Sequence, residues 1–348
     1  MSADMLGYGP MVTALDDRSV VGGGLLSDDR SDPTPLADAL EQALHIGSDT
    51  ALRQISDVLP YGRRDRIMAL LHIYDLHTAP LPRLGDRARF QHHAVVATLK
   101  QRCERLWLTE LEQVPLPAGV DPDDAVAALR TIAARTRLPA VYKWLAQVAT
   151  WPQVVHFLTL EGGPDAGFDD LVASCQIGLF GAAKLELATN YWDEMGDGAL
   201  ENVHTHLHDR LVGALDIRRL DPHELPTSAL ARSAFCGLLA TNRWLQPEML
   251  GALGLIELQA GPRCRLVLQA FDRCAAPADA YPFYEVHADV DPRHGKDWLE
   301  NAIAPTVGEQ PDWAPRMVRG ALWRDATTNT FLDDVRQLLC EPLPDTAA

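Results

Sequence analysis

The sequence predicts an all-α protein, on three observations. Apolar residues recur at three- and four-residue spacing through almost the whole chain, the repeat that gives a helix one apolar face. Alternating β-branched stretches are nearly absent. Proline and aspartate stand where helices would start, and glycine stands where they would stop.

Residues 1–33, with Gly22–Gly23–Gly24 and the polar run Ser27–Pro33, read as a flexible arm. Helices at 35–46, 49–58 and 63–76 make an N-terminal helical extension over 34–80. A long helix is expected over 84–113, where Val95, Val96, Leu99, Leu106, Leu108 and Leu111 form a broad stripe. Pro115 and Pro117 interrupt the chain, and Asp121–Pro122–Asp123–Asp124 opens the next helix, 123–135. Helices at 138–148 and 151–161 follow. Gly162–Gly163–Pro164–Asp165 ends the latter and starts another that runs to about residue 195. Gly196 and Gly198 break the chain before a helix at 200–214, and Pro222 and Pro226 mark a loop. Helices at 227–243, 246–272, 279–304 and 315–339 complete a main domain spanning 81–342.

The 348 residues, 47% of them hydrophobic, suffice for a substantial core. The net charge of −17 repels nucleic acid, and the one short basic cluster, Arg63–Arg64–Asp65–Arg66, is too small to reverse this. Cys103, Cys175, Cys236, Cys264, Cys274 and Cys340 form no CxxC pair, as expected of reduced, mostly buried thiols in a cytoplasmic protein. Residues 1–15 lack a basic start and are broken by Gly7, Gly9 and Pro10, unlike a signal peptide. No apolar run approaches the roughly 20 residues that span a bilayer, so a soluble protein without a membrane partner is expected.

Two segments carry the chemistry. In the first, Glu194 to His204, a helix would set Glu201 and His204 on one face, and the Gly196–Asp197–Gly198 break would let Glu194 converge with them. In the second, a helix would align His287, Asp291 and His294, although Pro292 disturbs its geometry. Carboxylate and imidazole without thiolate is the ligand palette of Fe(II) or Mn(II) rather than of structural zinc. The same residues also suit exposed acidic helix ends. Two features favour metal: the apolar and aromatic flank Leu185–Trp192 looks buried, and a two-metal centre needs about six protein ligands, which the segments together supply. Glu161, at the end of an apolar helix, offers a further carboxylate.

In order and internal spacing, the Glu, then Glu-x6-Glu-x2-His, then His-x3-Asp-x2-His pattern resembles that of the haem-oxygenase-like di-iron oxidases and oxygenases, the iron-containing redox enzymes. Asn190–Gly198 is similar to that family's Asp-Glu-aromatic-Gly-x-Gly signature, and His204–His208 to its continuation. The likeness covers about residues 140–305. It implies a haem-oxygenase-like helical bundle holding two iron ions (Fe2+/Fe3+) and no haem, with O2 as co-substrate. It further implies Glu161, Glu201, His204, His287, Asp291 and His294 as the basic ligands, with Glu194 as an extra carboxylate. Glu161 lies further from Glu201 than the pattern suggests, which keeps Asp169 or Asp170 open as the first carboxylate.

The activity so implied is O2-dependent oxidation of a small molecule (an amino acid, amine or fatty acid derivative) by N-oxygenation, desaturation or C–C cleavage. An external electron donor and a homodimer are compatible with it. The competing readings are a mononuclear iron or manganese enzyme of the same fold, or a non-catalytic binding or assembly protein. Arg243 is a candidate clamp for a substrate carboxylate, or else an ordinary helix-end cap beside Trp244. Glu257, between Ile256 and Leu258, either reaches the cavity or is a satellite charge on its helix.

Overall fold

A computed structural model describes residues 29–55, 61–162 and 167–340. The described residues are helical and contain no strand. The first helices are α1 (Pro35–Ile46), α2 (Asp49–Arg53), α3 (Arg63–Thr78), α4 (Leu81–Leu84), α5 (Ala94–Leu111), α6 (Ala125–Thr136), α7 (Ala140–Gln147) and α8 (Trp151–Glu161). They continue with α9 (Phe168–Cys175), α10 (Gly181–Glu194), α11 (His204–Ala214), α12 (Thr227–Thr241), α13 (Gln246–Cys274), α14 (Tyr281–Asp297), α15 (Ala304–Glu309) and α16 (Ala314–Cys340).

The expected elements differ in several places. The helix expected over 279–304 is α14 followed by a π-helical turn at Trp298–Ile303, and the one expected over 49–58 ends at Arg53. Three further differences have a plain local cause. The helix expected over 84–113 starts only at Ala94: Gly85–His92 is a 3-10 helix, and His93 caps α5 by accepting from Val95 N. The helix expected to run to 195 is two, α9 and α10, separated by a turn in which Gly178 and Gly181 take positive φ. The helix expected over 200–214 begins at His204, because Leu200–Asn202 is a 3-10 turn and Val203 is extended at ψ 127°. Of the expected arm, residues 1–28 lie outside the described residues, as do 56–58 of the helix expected at 49–58.

The N-terminal helices dock by polar contacts as well as apolar ones. The buried Asp65 carboxylate accepts from Leu36 N and Ala37 N at 3.1 and 2.8 Å, capping α1 from α3. Arg64 donates to the carbonyls of Leu225, Pro222 and His223, tying α3 to the loop before α12.

Two apolar clusters fill the interior. Helix α13 contributes Met249 to Leu255 to the first cluster, and Cys264 to Phe271 to the second. Between those stretches it carries the buried Glu257, Gln259 and Arg263. Helix α14 behaves likewise: Phe283, Tyr284 and Ala288 belong to the second cluster, Asp291 and His294 follow, and Trp298, just beyond the helix, belongs to the first. A polar layer therefore runs between two oily regions, and both of its long helices pass through it. At this level α13 and α14 approach closely: a Cβ on Gly295 would sit 3.1 Å from the backbone of Glu257.

Candidate metal centre

Glu194 is the last residue of α10, and the chain must reverse to bring α11 back towards it. Gly196, Asp197 and Gly198 supply the reversal with φ of 60°, 53° and 86°. A side chain at Gly196 would collide with the backbone of Asn202, 2.5 Å from its Cβ, so only glycine fits that point. The turn sets His204 at the head of α11 with Nδ1 2.8 Å from Glu194 Oε2. On α14, the ring of His287 packs edge-on to that of His204, with centroids 4.6 Å apart.

Donor atoms of Glu194, His204 and His287 all lie within 4.8 Å of one another, as do those of Glu194, Glu257 and His294. Glu194 belongs to both groups. It is 4% exposed, and Glu257 and His294 are 3% exposed.

Two of the three imidazoles are oriented from outside the cluster. His287 Nδ1 donates to the Phe283 carbonyl at 2.6 Å, which leaves Nε2 as the ring's lone-pair donor. His294 Nε2 lies 2.7 Å from Asp193 Oδ2, which Arg293 also engages at 2.6 Å. His294 Nδ1 then faces Glu257 Oε2 at 3.6 Å and has no hydrogen-bond partner. Glu257 Oε1 accepts from Asn190 Nδ2 at 2.6 Å.

The electrostatics follow from this crowding. Burial would raise the Glu194 carboxyl, but the neighbouring His204, His287 and His294 outweigh it and hold the group below its ordinary value. Burial lowers His287, favouring the neutral ring that a metal needs. Burial also opposes a charge on His294, yet Glu257 and Asp193 raise it to about 9. Buried carboxylates gathered around imidazoles call for positive charge.

The residues therefore fit a bound metal. Hard oxygen and nitrogen donors converge, no thiolate is among them, and a buried imidazole nitrogen points into the cluster without a hydrogen bond.

Of the other residues singled out in the sequence, Asp291 is buried on the same helix as His287 and His294 and lines the adjoining cavity, but joins neither donor group. Glu161 is buried, lines that cavity and accepts from Tyr142 Oη. Asp169 is half-buried and Asp170 exposed, both at the start of α9 and outside the donor groups.

Glu201 does not share a helical face with His204. It is exposed on the 3-10 turn before α11 and lines a second, more open cavity of about 460 Å³. Arg243 is also displaced from its expected role: it is exposed, lies against the Gly178 turn and does not line the cavity beside the cluster. Glu257 takes part where a satellite charge was the alternative, because α13 presses this face against α14. Asp193 carried no ligand spacing, and only the Asp-Glu-aromatic-Gly-x-Gly likeness drew it in beside Glu194.

The family model of the iron-containing redox enzymes matches residues 155–328, which is half of the chain and includes every donor named above. The chain belongs to the iron-containing redox enzymes. It is thus an all-α oxidoreductase of haem-oxygenase-like type that uses iron, and the clustered glutamates and histidines are its candidate iron-binding groups. No curated protein matches the chain. Among the described residues, no helix is long and apolar enough to cross a membrane.

Proposed function

We propose that this iron-containing redox enzyme is a non-haem di-iron oxidoreductase that uses O2 to oxidise a small molecule. The observation that carries the reading is that Glu194 belongs to both donor groups, as a carboxylate shared between two cations would. His204 and His287 would complete one position, and Glu257 and His294 the other. In this reading Glu257 takes the place that spacing had assigned to Glu201, while the buried Glu161 and Asp291 stand by as further carboxylates.

When bound, two ferrous ions supply electrons that O2 accepts as the substrate is oxidised. The chain's own residues do the rest. Asp193 holds the proton of His294 Nε2, and the Phe283 carbonyl fixes the tautomer of His287. Leu158, Leu211, Ile217 and Phe283 wall the adjoining cavity, of about 110 Å³, and keep water from the reacting groups. N-oxygenation, desaturation and C–C cleavage all suit such a cavity. The site lies within a strongly acidic chain, which favours a small-molecule substrate over nucleic acid, and electrons beyond those of the substrate would come from an external donor. Cys103, Cys175, Cys236, Cys264 and Cys274 form no disulfide with one another, in keeping with a reducing cytoplasmic setting.

The test is anaerobic Fe(II) loading followed by metal analysis and O2 exposure under an optical probe. Two irons per chain and an O2-dependent optical transient are expected. Near-zero iron with no transient overturns the reading, and a single iron restricts it to a mononuclear enzyme.

A further inference from the structure

The cavity beside the cluster is lined not only by acids. Arg232, Arg263 and Arg324 come from α12, α13 and α16, and all three are at least nine-tenths buried. Arg263 is the informative one. Its Nη2 donates to the Thr136 carbonyl and to Gln259 Oε1, both at 3.0 Å and both neutral, while Glu161 and Asp325 favour its charge through space. Its Nε is buried and has no hydrogen-bond partner. The guanidinium lies 5.7 Å from the ring centroid of Tyr142, another residue of the cavity wall.

A buried guanidinium is costly unless an anion meets it, and its planar donor fork matches a carboxylate. The charges of the wall point the same way. Glu161, Glu194, Glu257 and Asp291 bring four formal negative charges and the arginines three positive ones. Two divalent cations at the cluster would turn that deficit of one into a surplus of three. The filled site would then attract an anion, whereas the metal-free site would not.

From this geometry we infer that the substrate is a compact carboxylate whose anionic end is held by Arg263, with its apolar body between Arg263 and the metal cluster. This rests on the di-iron reading above and narrows it. An amine end would meet guanidinium at that position and be repelled. The volume sets a further limit: an apolar cavity of about 150 Å³ accepts benzene, so about 110 Å³ encloses a group no bulkier than that beside the cluster. Arg263, not the exposed Arg243, is thus the specificity-determining residue.

The experiment uses the full chain loaded with Fe(II) under argon. Short alkanoates and neutral α-amino acids are titrated calorimetrically, each beside its primary amide. At least one acid is expected to bind about tenfold or more tightly than its amide, the usual advantage of a charge-assisted hydrogen bond. That preference should vanish in metal-free protein and in Arg263→Met, with iron content and helicity unchanged. Arg263→Lys serves as a second variant if the methionine variant does not fold; it keeps the charge, loses the fork, and should retain only part of the preference. The inference is overturned if no acid is preferred over its amide by the iron-loaded protein, or if the preference persists in Arg263→Met. Failure of the di-iron reading shows separately, as protein that takes up no iron in the same samples.

Discussion

Replacing Glu194 with glutamine keeps the shape of the side chain and removes its charge. Because this carboxylate belongs to both donor groups, the change withdraws the one carboxylate of the His204–His287 group and one of the two in the Glu257–His294 group. Loss of an outer partner that merely orients a ligand costs about 10–100-fold in metal affinity. Loss of a shared ligand is therefore expected to cost at least about 100-fold at each position, or roughly 2.8 kcal/mol per ion at 1.4 kcal/mol per decade. Equilibrium dialysis against Fe(II) under argon, at a concentration that just saturates the unmodified protein, reads this directly. Glu194→Gln should hold almost no iron, Glu257→Gln about one ion, and Glu201→Gln the full complement, since Glu201 is exposed on its turn. Two irons retained by Glu194→Gln, or two lost from Glu201→Gln, would refute the assignment.

Three further outcomes are expected. Asp193→Ala removes the acceptor of His294 Nε2 without touching a donor group, and should weaken iron binding by about 10–100-fold while leaving the final stoichiometry intact. In metal-free protein, His294 is raised from 6.5 to about 9, so the stability it contributes is complete below pH 6.5 and lost as pH rises through about 9. The melting temperature of metal-free protein should fall over that window, and His294→Gln should flatten the fall; iron, which must displace the same proton, should load more readily as pH rises. Glu248, fully buried on α13, is met by Arg316 and Arg319 from α16, with Arg316 at 2.9 and 2.8 Å. Glu248→Ala removes the buried acceptor of two partly exposed guanidiniums and should cost about 1–3 kcal/mol in urea unfolding, yet leave the iron stoichiometry of the folded fraction unchanged.

The helices that carry most of the site were readable from spacing alone. The regular apolar repeats of α13, α14 and α16 announce helices that packing only has to confirm, and Pro262 and Pro292 sit inside α13 and α14 without ending them. What spacing could not convey was where a run of helix-compatible residues is interrupted. Glu201-x-x-His204 reads as one helical face only if Val203 is helical, and its extended backbone turns Glu201 to solvent. Glu257 illustrates the opposite case. Its apolar neighbours Ile256 and Leu258 left cavity and satellite charge both open, and its role arises from the close approach of α14 at Gly295. The three arginines of the cavity are likewise separated by tens of residues, and only the tertiary fold makes them neighbours.

The layered interior has a consequence for how the molecule melts. Because charged and polar groups separate the two oily regions along α13 and α14, little grease continues from one region to the other at that level. A cation gripped there by α10, α11, α13 and α14 together would act as a rivet through both halves. Stripping it away should then broaden the calorimetric transition, as each half begins to loosen at its own temperature.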